Sequence, residues 1–468
     1  MKGQKHLTIV IKLGTSSIVS EKNHEPLLSV LSLIVETAVQ LVKDGHKVVI
    51  VSSGAIGMGL RRMKALASVG QCQLIGLWNT LFAHLQQPIA QILLTRNDIA
   101  DRTQYLNAQN TFTELFNMGV IPIVNENDTI AVSEIREVEK FGDNDTLSAI
   151  TAAMLQADYL FLMTDVDCLY DKNPRMHADA RPIDIVEDIS ALEADVSSAG
   201  SALGTGGMST KIVAARLAIS AGVTAVITRS SKPGNIIEVV NYVESLRRSP
   251  LVSSLPLTPS TEREDLSKST ASLQMNGPLR TPPLHTRFIP DLQPIRDRSF
   301  WLLHGLAPHG TMYIDEGAHQ ALKSRAGLLP VGIVDVEGQF AQQEAVRLLV
   351  VKQKSNGPLE SDATVNGGGV PVDIPSAPLE VGRALVNYSS AEIMRIKGCQ
   401  STEIRSLLGF ADSEYVALRE NVSLARNEKS RPVTPISRRR LTRLIRALTP
   451  PMKKGKDGEE DVVSVMMQ

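Results

Sequence analysis

The residues with the clearest chemical potential lie in 124–146, VNENDTIAVSEIREVEKFGDNDT, between the apolar run 120–124 and a helical pattern. Asn125, Asn127 and Asp128, with Asp143, Asn144 and Asp145, supply acceptors and amides that suit an ammonium group, a metal ion or a polar substrate. Taken alone, such a loop usually reads as a solvated polar loop. Two lysines elsewhere shift the balance. Lys12 follows the strand pattern Leu7–Ile11, and Lys211 closes GTGGMSTK at the start of a helical pattern. Gly14, Gly54, Gly57 and Gly59, and Gly204, Gly206 and Gly207, would let backbone amides approach an anion closely. Two cations and an acidic organiser suit phosphoryl transfer, where catalysis is mainly positioning and charge stabilisation. The chain contains neither GxxxxGK[ST] nor GxGxxG, so a nucleotide site here is of neither the P-loop nor the Rossmann type.

The elements that must position these groups alternate. Strands are expected at Leu7–Ile11, Lys47–Val51, 120–124, 158–163 and 223–228. Helices are expected at Leu27–Lys43, 104–118, 146–156 and 211–221, with Gly45 as a C′ glycine closing the first. This alternation predicts an α/β fold with a mostly parallel sheet. Its site should form in the loops after the strands, where every polar motif falls.

Composition sets the frame. A chain of 468 residues exceeds what one core usually supports, which implies at least two domains. A net charge of −1 gives no general reason to expect nucleic acid or membrane partners. Cys72, Cys168 and Cys399 form no CxxC pair, which points to a reducing compartment. The N-terminal apolar run is too short for a signal peptide, so a cytoplasmic protein is the expectation.

The motifs IVIKLGTSSIV, VVIVSSGAIGMG, SVGQCQLIGLW, IPIVNENDTIAVSEI, FGDNDTLSA, LMTDVDCLY and GTGGMSTK together resemble the glutamate 5-kinases of the amino acid kinase superfamily. That resemblance implies ATP-dependent phosphorylation of the side-chain carboxylate of L-glutamate, the first step of proline biosynthesis. It implies magnesium on the ATP phosphates, with no separate protein metal site. It assigns Lys12, Asp145 and Lys211 to catalysis and Ser53, Asn125, Asp128 and Asn144 to glutamate. Lys12, Gly14, Thr164, Asp165, Thr205, Gly206, Gly207, Met208, Ser209, Thr210 and Lys211 are assigned to ATP. Proline as feedback inhibitor, a homo-oligomer and hand-over of product to glutamyl phosphate reductase are further implications.

Residues 1–297 are expected to form the kinase domain, with a disordered Ser-, Pro- and Thr-rich insertion at about 249–283. Residues 298–423 resemble a PUA domain, a small β-rich fold. It shows no basic stripe with interleaved aromatics, which argues against RNA binding. Residues 424–468 read as a basic, solvated tail. The loop between Gly59 and Val69 is shorter than the family's usual one. That loop favours one alternative to a glutamate kinase, an impaired kinase-like scaffold; another small-acid kinase of the superfamily is the second.

Overall fold

The computed structural model describes residues 6–20, 25–53, 66–128, 144–248 (apart from 175, 178, 190, 191 and 193–206), 282–351 (apart from 292 and 296) and 379–425. The expected insertion at 249–283 lies almost entirely outside the described residues. So do the short loop after Gly59 and the basic tail beyond 425.

Eight strands make the first sheet: β1 Thr8–Leu13, β2 Lys47–Ser52, β3 Ile89–Leu94, β4 Ile121–Glu126, β5 Tyr159–Thr164, β6 Ile185–Val186, β7 Thr224–Arg229 and β8 Thr286–Phe288. They lie in the order β3-β4-β2-β1-β5-β7-β8-β6. Every pairing from β3 through β7 is parallel; β8 pairs antiparallel with β7, and β6 runs parallel to β8. The α/β, mostly parallel expectation therefore holds.

Apolar residues on both faces of each central strand explain this arrangement, because helices must cover both. Val10, Val49, Val51, Val124, Leu160 and Leu162 enter one core; Ile9, Ile11, Val48, Ile50, Tyr159 and Phe161 enter the other. The second core is closed by α1 Leu28–Lys43 and α2 Leu66–His84. In α2, Leu74, Trp78 and Phe82 recur at the four-residue spacing of a single helix face and are all buried. The first core is closed by α3 Arg102–Asn117, α4 Asn144–Met154 and α5 Met208–Ser220. Gly45, at φ +86°, ends α1 as expected, and a Cβ there would meet the His6 ring at 2.7 Å. α2 and β3 were not among the expected elements.

A second sheet of five strands follows: β9 Gly310–Ile314, β10 Ile333–Gly338, β11 Ala345–Val350, β12 Leu379–Leu385 and β13 Val422–Leu424, in the order β10-β9-β11-β12-β13. It has its own core, including Met312, Ile314, Val346, Leu348, Tyr388 and Ile393. Between the sheets runs a helical segment, Asp297–Gly305, that binds to both. Phe300, Trp301 and Leu302 are buried in a core of the first sheet. The Trp301 indole donates to the Ile99 carbonyl at 2.9 Å, and Asp297 accepts from Arg102 at 2.7 Å and from the Tyr105 hydroxyl at 3.0 Å. On the other side, Arg298 donates to the Asn421 side chain at 2.7 Å. No helix among the described residues is long and apolar enough to cross a membrane.

This packing makes residues 298–306 part of what stabilises the first sheet. Trp301→Ala is expected to lower stability by about 3–5 kcal/mol, the usual cost of deleting a buried tryptophan side chain. A chain ending at Leu306 should unfold cooperatively, and one ending at Asp297 should be markedly less stable. Denaturant unfolding of the two truncated chains checks this; equal midpoints would refute it.

Candidate active site

Lys12, Ser53, Asn125, Asp128, Thr164 and Asp165 all sit at or just beyond the carboxyl ends of β1, β2, β4 and β5. The parallel sheet thus brings residues more than a hundred positions apart to one edge. Asn144 and Asp145 open α4, and Gly207 is the N-cap of α5.

Asp145 is the centre of this edge. It is 0% exposed. One carboxylate oxygen lies 2.5 Å from Lys12 Nζ. The other lies 3.3 Å from Lys211 Nζ and accepts from the Thr210 hydroxyl at 2.7 Å. Both lysines are buried as well. Burial alone would raise the Asp145 pKa, but the charges of Lys12 and Lys211 outweigh it and hold the group at about 2. The cluster of one anion and two cations is left with a net positive charge, hidden from water and facing the sheet edge.

Thr210 ties this cluster to the helix start. Its hydroxyl also contacts the Gly207 carbonyl, at 2.8 Å. Lys211 follows in the first turn of α5, so the amides of that turn and the ammonium belong to one rigid element. Met208 is half-buried and Ser209 exposed. Thr205 and Gly206 lie outside the described residues. At Gly14 an added Cβ would lie 3.8 Å from Lys12 Nζ, an ordinary contact, so the protein itself does not demand glycine there. Thr164 is buried at the end of β5 and donates to the exposed Asp165 at 3.1 Å.

The remaining polar groups gather on the β2 and β4 side. Ser53 is buried, and its backbone N–H donates to the Leu13 carbonyl, which locks the β2 end to β1. Asn125 donates its amide to Gln71 at 2.6 Å. The carbonyl oxygens of Asn125 and Asn144 are both buried with no hydrogen-bond partner among the described residues. Buried acceptors of this kind are rare in native proteins, and a ligand donor is one way of satisfying them. Half-buried Asp128 has its pKa raised by burial.

Two supporting residues were absent from the sequence-based set. Gln71 holds the Asn125 amide. Trp78 donates to the Ser52 hydroxyl at 3.2 Å, next to Ser53. Both lie on α2, and the motif SVGQCQLIGLW was their only sequence signal. Among the described residues no group of three or more His, Cys, Asp or Glu side chains could hold a metal ion.

Comparison with known proteins places this geometry in a lineage. The amino acid kinase family profile matches residues 7–229, and the PUA domain profile matches residues 310–408. A protein of Schizosaccharomyces pombe named "Probable glutamate 5-kinase" is 50% identical over 431 residues, covering 89% of this chain and 93% of its own. "Glutamate 5-kinase" of Nostoc punctiforme is 42% identical over 432 residues, covering 89% of this chain and 99% of its own. An uncharacterized protein of Saccharomyces cerevisiae is 44% identical over 438 residues, covering 90% and 98%. With such identity over 89% of its length, the chain belongs to the glutamate 5-kinase family.

Proposed function

We propose that this chain transfers the γ-phosphoryl group of ATP to the side-chain carboxylate of L-glutamate, forming L-glutamyl 5-phosphate and ADP in proline biosynthesis. The observation that carries this reading is the buried Asp145 carboxylate holding Lys12 and Lys211 together at the sheet edge.

The chemistry follows from charge. A glutamate side chain is already ionised at neutral pH, so its oxygen can attack the γ-phosphorus without a general base. The new O–P bond forms as the bond to the ADP oxygen breaks. Negative charge on the phosphoryl oxygens must then be met by fixed cations. Lys12 and Lys211 have that role. Asp145 keeps them in place before substrate arrives. Magnesium carried on the ATP phosphates would add positive charge beside these lysines. Gly14, Thr164, Asp165 and the 205–211 segment face the nucleotide in this reading.

Glutamate takes the opposite side. Its ammonium group meets Asp128 and the carbonyl oxygens of Asn125 and Asn144, and Ser53 donates to a carboxylate. We assign residues through about 305 to the catalytic domain and the second sheet to the PUA domain. A cytoplasmic setting agrees with three unpaired cysteines. Proline inhibition, a homo-oligomer and transfer of product to a reductase complete the proposal.

ATP consumption measured with and without L-glutamate tests the function. Glutamate-dependent turnover is expected; turnover that ignores glutamate, or responds only to another small acid, would overturn the reading. Lys211→Ala should lower kcat by about 10²–10³-fold with little change in the KM for ATP, because its charge acts mostly on the moving group. Asp128→Ala should raise the KM for glutamate at least tenfold and leave that for ATP nearly unchanged. A loss of ATP affinity instead would show that the two halves of the site are assigned the wrong way round.

A further inference from the structure

The buried face of α2 does more than pack. Leu74, Trp78 and Phe82 help to close one core of the first sheet, and Gln71 precedes Leu74 by one turn on the same side, where that core gives way to the site. Side chains alternate along β4. Ile121 and Ile123 enter the core that α2 closes, whereas Val124 enters the other. Asn125 therefore points to the α2 side, and its amide nitrogen donates to Gln71 Oε1 at 2.6 Å. Asn125 is 2% exposed and Gln71 is half-buried.

This contact decides which end of the Asn125 amide a ligand meets. An asparagine amide has a donor end and an acceptor end of nearly the same shape, so packing does not choose between them and a hydrogen-bond partner must. With Nδ2 committed to Gln71, Oδ1 turns to the other side, where it is buried without a hydrogen-bond partner among the described residues. Asn144 Oδ1 is in the same condition. Half-buried Asp128, three positions beyond Asn125, contributes a carboxylate. Acceptors without donors suit a group that only donates, and an ammonium is such a group. Turned the other way, Asn125 would present its own N–H bonds to that ammonium and repel it.

We propose that Gln71 is a positioning residue for substrate selection: its side-chain oxygen fixes the polarity of Asn125, so that this half of the site takes the free α-ammonium group of an amino acid. The proposal rests on the glutamate reading above and adds to it the residue that sets one of its acceptors. A glutamine can present either end of its own amide. Gln71→Glu leaves only acceptors at that position, and Gln71→Lys leaves only donors. Affinity for the amino acid should therefore follow the presence of an acceptor on α2, and affinity for the nucleotide should not.

The test is steady-state kinetics of the full chain, comparing the parent with Gln71→Glu, Gln71→Met and Gln71→Lys. ATP-induced thermal stabilisation checks that each variant is folded. Gln71→Glu should keep the KM for L-glutamate near that of the parent. Gln71→Lys, which reverses the Asn125 amide, should raise it by about ten- to a hundredfold, the usual worth of a hydrogen bond to a charged group. Gln71→Met is neutral and of similar length, and it should raise the KM less, which separates loss of the acceptor from added charge. The KM for ATP should stay nearly constant throughout. A purely structural role for Gln71 would not order the variants by acceptor and donor. Equal KM values for glutamate in the parent and Gln71→Lys, or equal rises in Gln71→Glu and Gln71→Lys, would overturn the inference and leave the glutamate reading intact. A parent without glutamate-dependent turnover would overturn both. If either Gln71→Met or Gln71→Lys fails to fold, the other decides against Gln71→Glu.

Discussion

One buried carboxylate with two buried lysines is the interaction on which the catalytic half depends. Taking three charges out of water is costly, and only their mutual attraction and good geometry offset that cost. Asp145 meets the requirement with both oxygens engaged, one by Lys12 and the other by Lys211 and Thr210. If the carboxylate were lost, two ammonium groups would face each other in a low-dielectric pocket, where like charges repel strongly. Substrate anions would then have to organise the site themselves, at the expense of the rate.

This requirement explains the architecture around it. Lys12 must come from a central strand, because only there are both flanks buried. Asp145 and Lys211 must come from the first turns of two helices that pack side by side against the same core. Parallel strands deliver all three groups to one edge, and their alternating side chains leave each central strand with one set of apolar residues per face. Tight helix packing at α4, where every residue from Asp145 to Met154 is buried, gives the carboxylate little freedom to move. The connecting segment around Trp301 then links this rigid half to the second sheet.

Much of this was legible in the sequence, for identifiable reasons. The central strands stand out because they are continuous apolar runs, and α1 because it carries helical periodicity and a terminal glycine. β3 escaped notice because it is an edge strand: IAQILL is only partly buried and includes an exposed Gln91. α2 escaped because Gly70 and Gly76 interrupt it, and each costs a helix about 1 kcal/mol relative to alanine. Only packing by Leu74, Trp78 and Phe82 overrides that. Lys12, Lys211 and the Asn- and Asp-rich loop were visible through composition and spacing, whereas Ser53, Thr164 and Asp165 were implied only by the family resemblance, as was the pairing of Asp145 with Lys12. It joins residues 133 positions apart, from 12 to 145, and depends on strand order, which local pattern cannot supply. Nor did any local signal distinguish the connecting segment 298–305 from the β-rich domain it precedes.

The most direct test of the central claim is the turnover number of Asp145→Asn. This substitution preserves shape and the contact with Thr210 but removes the charge that holds the lysines. If Asp145 organises both cations for transfer, kcat should fall by about 10²–10³-fold in a protein that is folded and still binds ATP. Turnover close to that of the parent would contradict the account, because the two lysines would then be competent without the carboxylate between them.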